Sequence, residues 1–297
     1  MNDLIEQLQT LRDWLRYAVS RFNEAGLHFG HGCDNAYDEA AWLLLHALHL
    51  PRDRLEPFLD ARLTRDERLA VHHVLQLRIA KRVPTAYLTR EAWLGECRFY
   101  VDERVIVPRS YFGELLANDF APWLESPESV RTALDLCTGS GCLAIMMALV
   151  FHAARIDAVD LSTDALAVAR RNVADYDLVE RVRLVESDLF ASLGKQRYDL
   201  IVSNPPYVTA EAMAALPPEY RHEPAMALAA GDDGLDIVRR ILQQAKKHLQ
   251  PQGLLAVEVG HNRELVEAAY PDLSLTWIDC LGGEGKIFIL QREQLPD

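Results

Sequence analysis

The sequence predicts an α/β protein in which a doubly wound, mostly parallel sheet follows a smaller helical domain. From Thr132 onward, short apolar runs typical of strands alternate with runs that have helical spacing. Residues 1–85 show helical spacing alone, and residues 86–107 are rich in aromatic and β-branched residues. Alternating strands and helices are typical of βαβ units, whose parallel sheet is covered by helices on both faces.

The composition and net charge of the chain favour some classes of protein and exclude others. The 297 residues carry 31 Lys and Arg against 44 Asp and Glu, a formal net charge of −13. Such a charge disfavours sequence-blind binding to nucleic acid and attracts a basic partner. The five cysteines are scattered through a long chain, which favours reduced thiols. Without a leader or an apolar run long enough for a bilayer, we expect a cytoplasmic protein with no membrane span.

Three helices are predicted in the first domain, which we place at residues 1–85. Leu4 to Leu15 carry apolar residues at helical spacing, and the run from Asp38 to Leu50 reads as a buried helix that Pro51 ends. A third helix begins at a capping box made by Thr64 and Glu67. The domain is therefore expected to be a small helical unit.

A hairpin linker is predicted at residues 86–112, before the larger domain at residues 113–297. Short strands are expected between Ala86 and Val107, with turns at Gly95 and at Asp102-Glu103. In the larger domain, the predicted strands are TALDL, RIDAVD, RVRLVES, YDLIVS and GLLAVEV, and the predicted helices are CLAIMMALVF, STDALAVARRNV and LDIVRRILQQAKKHL.

A glycine loop follows the first strand of this domain and reads Cys137-Thr138-Gly139-Ser140-Gly141. A doubly wound sheet binds nucleotide-like ligands at such a loop, where glycine lets the backbone approach the ligand. The next strand ends in Asp160, a carboxylate suited to accept hydrogen bonds from both ribose hydroxyls of an adenosine. A tight strand-to-helix turn without a ligand is the alternative explanation of the glycines.

The acidic residue before the loop indicates which ligand to expect. Asp135 would repel a pyrophosphate, whereas it could help to hold a cation. S-adenosylmethionine carries an ammonium and a sulfonium, and it is the cofactor that we predict. No metal site is expected, because neither Cys137 with Cys142 nor His28, His31 and Cys33 have a complete set of ligands nearby.

The predicted catalytic loop is Asn204-Pro205-Pro206-Tyr207, which follows the strand YDLIVS. Prolines have no backbone N–H, so the loop presents mainly acceptors. The Asn204 side-chain oxygen and the Pro205 carbonyl could each hold one hydrogen of a substrate –NH2 group, with Tyr207 against its planar face. A rigid surface turn is the alternative explanation. Ser187-Asp188 is expected either beside the adenine or as a cap of a turn.

Together, DLCTGSGC, Asp160 and NPPY resemble the glutamine methyltransferases of the HemK type, which methylate a glutamine side-chain amide in proteins of translation. Similar stretches extend over nearly the whole chain, among them Val107-Pro108-Arg109-Ser110, Glu223-Pro224-Ala225-Met226-Ala227-Leu228 and Glu258-Val259-Gly260. The resemblance implies a class I methyltransferase sheet of seven strands. The loop sequence, Pro108-Arg109-Ser110 and Gly30-His31-Gly32 are similar to the branch that acts on a large-subunit ribosomal protein, L-three.

The resemblance also implies roles for individual residues. The loop Cys137–Gly141 would hold the methionine end of the cofactor, Asp160 the ribose, and Asn204–Tyr207 the glutamine. The complete set of predicted cofactor contacts is Asp135, Cys137, Thr138, Gly139, Ser140, Gly141, Asp160, Leu161, Asp188, Leu189 and Asn204. Leu189 stands where release-factor enzymes have an aromatic residue beside the adenine, and Phe190 is a candidate substitute.

Three other functions are compatible with the sequence. A release-factor glutamine methyltransferase would use the same chemistry on another protein. A DNA adenine amino-methyltransferase also uses such loops, but it must flip a base and grip phosphates, which a net charge of −13 disfavours. A non-catalytic module that assists ribosome assembly would not need Asn204. The net charge favours a basic partner, and the resemblance implies that this partner is a protein of the large ribosomal subunit, free or in an assembling particle.

Overall fold

The computed structural model describes residues 2–124, 126–281 and 283–296. Residue contacts divide the chain into two compact units. The first comprises Met1–Ala92, Val101–Glu103 and Pro217–His222, and the second comprises Trp93–Tyr100, Arg104–Leu216 and Glu223–Asp297. These units are defined by contacts between residues. The functional domains predicted from the sequence, at residues 1–85, 86–112 and 113–297, stay predictions.

The first unit is helical. Its helices are α1 (Asn2–Gln7), α2 (Leu11–Glu24), α3 (Ala36–Ala47), α4 (Arg65–Lys81) and α5 (Thr85–Thr89), with short 3₁₀ turns at Glu56–Phe58 and Pro218–His222. The apolar run from Leu4 to Leu15 divides into two helices because Thr10 caps α2. The Thr10 hydroxyl accepts from Asp13 N–H, and the Asp13 carboxylate accepts from Thr10 N–H at 2.9 Å.

The other two predicted helices are confirmed. Asn35 caps α3, and the capping box of Thr64 and Glu67 begins α4. The apolar faces of these helices meet in one core, which includes Trp14 and Leu43. Burial of these faces, rather than intrinsic propensity, stabilises helices of this length.

A buried ion network holds the segment Pro217–His222 within this unit. Arg78 donates to Glu39 at 2.5 Å and to Glu219 at 3.2 Å, and all three side chains are at most 2% exposed. Arg82 and the N–H of His28 also donate to Glu219. Although burial opposes ionisation, these hydrogen bonds keep the pKa of Glu219 below its usual value. Chain order alone did not indicate that this late segment belongs to the helical unit.

Residues 86–107 differ in part from the prediction. The hairpin is present as β1 (Ala92–Leu94) and β2 (Cys97–Phe99), with its turn at Gly95. The expectation of strands on either side was wrong. Residues 86–89 lie in α5, which Pro84 precedes and in which Ala86 and Tyr87 are buried. Residues 101–107 form no regular element.

The remaining elements follow in chain order. They are α6 (Phe112–Ala117), β3 (Thr132–Leu136), α7 (Cys142–Val150), β4 (Arg155–Asp160), α8 (Thr163–Asp175), β5 (Val182–Glu186), β6 (Tyr198–Ser203), α9 (Ala210–Ala215), α10 (Asp236–His248), β7 (Leu249–Glu258), α11 (Arg263–Ala269), β8 (Thr276–Cys280) and β9 (Gly283–Gln291). Each predicted strand and helix of the larger domain is confirmed.

Seven of these strands form one sheet in the order β5-β4-β3-β6-β7-β9-β8. The first five are parallel, and β9 runs antiparallel to both of its neighbours. One apolar core, including Leu143 and Val173, covers one face, and a second core, including Ile241 and Val266, covers the other. The predicted doubly wound, mostly parallel sheet is confirmed. In the part of the chain that the structure describes, no helix is both long and apolar enough to span a bilayer.

Candidate active site

The strand register brings the predicted motifs to one edge of the sheet. Leu136 of β3 pairs with Val159 of β4 on one side and with Ser203 of β6 on the other. The residues that follow these three strand positions therefore lie next to one another. Ligands of doubly wound sheets bind at this carboxyl edge, where the strand order reverses.

The glycine loop turns sharply from β3 into α7. Gly139 and Gly141 have φ angles of +56° and +81°, and Cys137 has a φ of +61°. A Cβ on Gly141 would lie 3.1 Å from Cβ of Ala169 in α8. Glycine is thus required at Gly141 by both its backbone conformation and its close approach to the next helix.

Asp135 lies behind this loop. Its carboxylate accepts from the Thr138 hydroxyl at 2.5 Å and from Ala144 N–H at 3.0 Å. Burial raises the pKa of Asp135 to about 7. These contacts tie the loop to the first turn of α7, so Asp135 shapes the loop; its predicted contact with the cofactor stays a prediction.

Asp160 faces the loop from the tip of β4. Its carboxylate accepts from the N–H of Gly139 at 2.8 Å and from the N–H of Ser162 at 2.9 Å. Burial raises its pKa above the usual value. The glycine loop and this carboxylate are therefore held together by a direct hydrogen bond.

A cleft opens above this edge, and most of the predicted residues line it. These are Cys137, Thr138, Gly139, Ser140, Asp160, Leu161, Asp188, Leu189, Asn204 and Pro206. The other predicted residues adjoin the cleft without lining it: Asp135, Gly141, Pro205 and Tyr207. A carboxylate beside apolar side chains matches the needs of a ribose and an adenine.

The Asn204 side chain offers a hydrogen-bond acceptor that is not in use. Its Oδ1 is buried and has no hydrogen-bond partner in the structure. The side chain of the preceding Ser203 already has a hydrogen-bond partner, since its hydroxyl donates to the Leu136 carbonyl at 2.9 Å. A buried acceptor without a partner is costly in a folded protein, so this atom is well suited to a substrate N–H.

After the third strand, Ser187-Asp188 makes the expected turn cap, and its place beside the adenine stays a prediction. Ser187 accepts from Ser192 N–H at 2.9 Å, as a turn cap does, while Asp188 lines the cleft and pairs with Arg240 at 2.7 Å. Phe190 was a wrong candidate for the adenine contact. Its ring is buried against His248, at 4.7 Å between centroids, because the turn directs Leu189 toward the cleft instead.

A second wall of the cleft had not been assigned from the sequence. It is formed by residues 104–106 and 108–110 together with Pro224, Met226 and Ala227. Glu223 joins its two parts, since it accepts from Val107 N–H at 2.9 Å and from both Nη atoms of Arg109 at 2.6 Å. In the sequence, the stretches VPRS and EPAMAL are marked only by their resemblance to the methyltransferase family, and no local periodicity indicates that they meet.

Among the described residues, no group of three or more His, Cys, Asp or Glu is arranged to hold a metal ion.

Taken together, the sheet order, the glycine loop, Asp160 and the NPPY loop define a class I S-adenosylmethionine-dependent methyltransferase. Two family models match the chain: "PrmC N-terminal domain" over residues 13–89 and "Methyltransferase small domain" over residues 115–216. The chain belongs to the family of ribosomal protein uL3 glutamine methyltransferases. It is 58% identical over 294 residues to the enzyme so named from Neisseria meningitidis serogroup B, covering 99% of this chain and 97% of the relative. The identity is 57% to the enzyme so named from Burkholderia pseudomallei, covering 97% and 96%.

Among solved structures, the hMettl16 catalytic domain is similar with a TM-score of 0.51 at 15% identity, covering 76% of this chain and 80% of that one. At this identity, the likeness shows the fold alone. The expected seven-stranded methyltransferase sheet is thereby confirmed.

Proposed function

We propose that this chain transfers a methyl group from S-adenosylmethionine to the side-chain amide nitrogen of a glutamine in ribosomal protein uL3. Its membership of the family supports the reaction and the substrate. The observation that carries the chemistry is the buried, unpartnered Oδ1 of Asn204 at the edge of the cleft.

The chain's own residues act by orienting a poor nucleophile. The lone pair of an amide nitrogen is delocalised, so its reaction depends on alignment and on stabilisation of charge as it develops. Asn204 Oδ1 and the Pro205 carbonyl each accept one N–H of the glutamine amide, and Tyr207 forms a wall beside it. The cofactor, when bound, supplies the electrophilic methyl group.

The same cleft accounts for cofactor binding. The loop Cys137–Gly141 takes the methionine end, and Asp160 accepts hydrogen bonds from the ribose hydroxyls. Leu161 and Leu189 pack beside the adenine, with Asp188 near its edge. All of these residues except Gly141 line the cleft, which supports the assignment.

Charge and composition support the choice of partner. A chain of net charge −13 attracts a basic ribosomal protein and not a phosphate backbone. We assign recognition of that protein to the helical first domain and place the reaction in the cytoplasm, on uL3 that is free or in an assembling particle.

The test supplies the purified chain with methyl-labelled cofactor and, separately, uL3, a release factor and an adenine-containing oligonucleotide. Label on one glutamine of uL3 is the expected result. Label on the release factor would overturn the substrate but keep the chemistry, and label on the oligonucleotide would overturn both. Cofactor binding with no transfer to any of them would support the non-catalytic module.

A further inference from the structure

Glu258 is a buried carboxylate beside the catalytic loop. It ends β7, and the pairing of Ser203 with Val257 places it next to Asn204 at the edge of the sheet. Its side chain is 0% exposed. A carboxylate that is buried so completely needs hydrogen-bond donors around it.

The donors come from both sides of the cleft. The Ser110 hydroxyl donates at 2.6 Å and Tyr111 N–H at 3.0 Å, both to Oε2. The Tyr207 side chain also hydrogen-bonds to this carboxyl group and favours its ionised form. One carboxylate therefore links the catalytic loop to the wall that contains residues 104–106 and 108–110.

The residues that follow Glu258 enclose the rest of Tyr207. The Asn262 side chain donates to the Tyr207 carbonyl at 2.7 Å. A Cβ on Gly260 would lie 2.6 Å from Cε2 of the Tyr207 ring, and one on Gly234 would lie 2.5 Å from its carbonyl oxygen. Tyr207 is thus held at its hydroxyl, ring and carbonyl, which leaves the loop little freedom.

We propose that Glu258 is a positioning residue that, together with Asn262, fixes Tyr207 and so aligns the acceptors of Asn204 and Pro205 with the substrate amide. This inference rests on the proposed function for its catalytic consequence. Its structural part, the link between Glu258 and Tyr207, can be measured without substrate or cofactor.

The charge of Glu258 makes the link sensitive to pH. Burial raises the pKa of Glu258 to about 7. This rise is opposed by the hydrogen bonds from Ser110, Tyr111 N–H and Tyr207 and by the positive charge of Arg109, all of which favour the ionised form. The other titratable groups that face it are the Tyr111 phenol and the Cys280 thiol, whose pKa values are both raised, first by burial. Hydrogen bonds to an ionised carboxylate are stronger than those to the neutral acid, so the contact with Tyr207 weakens as the pH falls through about 7.

The first experiment follows tyrosine Cζ resonances in the full-length protein labelled with [13Cζ]-tyrosine, from about pH 5.5 to about pH 8.5. Tyr207→Phe and Tyr111→Phe assign the two resonances. The Tyr207 resonance should shift with a midpoint near 7 in the natural protein and should not shift in Glu258→Gln. A flat resonance in the natural protein, or a shift that persists in Glu258→Gln, would overturn the link.

The second experiment measures kcat, KM and cofactor Kd for Glu258→Gln on uL3. We expect kcat to fall by about 10-fold or more, a Kd for cofactor within about twofold of the natural value, and loss of the acidic limb in the pH profile. Glu264→Gln, at an exposed acidic position in the first turn of α11, is the matched control and should change none of these.

Two outcomes separate the inference from the proposed function. If the natural protein does not methylate uL3, the proposed function fails, while the resonance titration still decides the link. If Glu258→Gln does not fold, Tyr207→Phe serves instead, because it removes only the hydroxyl and should also remove the acidic limb of the pH profile. An unchanged acidic limb in Tyr207→Phe would overturn the positioning role. An unchanged kcat in Glu258→Gln would overturn it as well.

Discussion

The backbone N–H of Gly139 donates a 2.8 Å hydrogen bond to Oδ2 of Asp160. This bond joins the loop after β3 to the tip of β4, so the two halves of the proposed cofactor site are aligned by the protein itself. Preorganisation of this kind reduces the entropy lost when a ligand binds. It also means that a change at Asp160 affects both the ligand and the loop.

Asp160→Asn should weaken binding of S-adenosylmethionine. The amide keeps one acceptor but directs N–H groups at backbone donors and gives up a charge-assisted hydrogen bond, a loss of about 1 to 3 kcal/mol, or about 5- to 150-fold in Kd. Titration calorimetry measures this Kd. Asp164→Asn, at an exposed position in α8, is the control, and an unchanged Kd in Asp160→Asn would contradict the ribose contact.

Asn204→Ala should lower kcat by about 100-fold or more while cofactor Kd stays within about twofold. The change removes the buried acceptor that has no other partner, so it acts on alignment of the substrate amide. Steady-state transfer to uL3 and calorimetry with the cofactor measure the two quantities. Parallel losses in both would argue against a role in orienting the amide.

Gly141→Ala should destabilise the fold more than Gly139→Ala does. Both positions have left-handed φ angles, where a Cβ costs about 1 to 2 kcal/mol. Only at Gly141 would the new Cβ also come within 3.1 Å of Ala169, whereas nothing lies within 4 Å at Gly139. Thermal unfolding compares the two variants, and equal Tm values would show that α8 moves to accommodate the methyl group.

Arg78→Ala should reduce the free energy of unfolding by about 3 to 5 kcal/mol, because it leaves two buried carboxylates without a major partner. These carboxylates belong to Glu39 and Glu219, which are 2% and 0% exposed. Urea unfolding measures the loss. Arg12→Ala breaks an ion pair with Asp60 that is largely exposed, and it should leave the midpoint unchanged. A similar midpoint for both variants would contradict the structural role of the buried network.

The free energy of unfolding should depend on pH through the buried carboxyl group of Asp135. Its pKa rises from the ordinary value of 3.8 to about 7 in the folded protein, so its stabilising contribution is complete below about pH 4 and is lost as pH rises through 7. Stability of the natural protein relative to Asp135→Asn should therefore fall over this range. Urea unfolding at several pH values measures the difference, and a constant difference would show that Asp135 titrates normally.

The helix that was expected across Leu4–Leu15 shows where local patterns are insufficient. Apolar spacing continues through Thr10, yet Thr10 and Asp13 form a capping box that starts a new helix. Hydrogen bonds of a cap can override a continuous apolar stripe. At residues 86–89, aromatic and β-branched composition indicated strand, but burial of the short helix α5 decided otherwise.

The sequence by itself determined the alternation of strands and helices, the glycine loop, Asp160 and the NPPY loop. These features are local, because periodicity sets each element and the ends of successive parallel strands meet at one edge. Only the tertiary structure decided that Glu258 reaches Tyr207, that Glu223 joins the second wall through Arg109, and that Pro217–His222 belongs to the helical unit. Each of those relationships joins residues distant in the chain, and depends on strand register and packing that no single segment encodes.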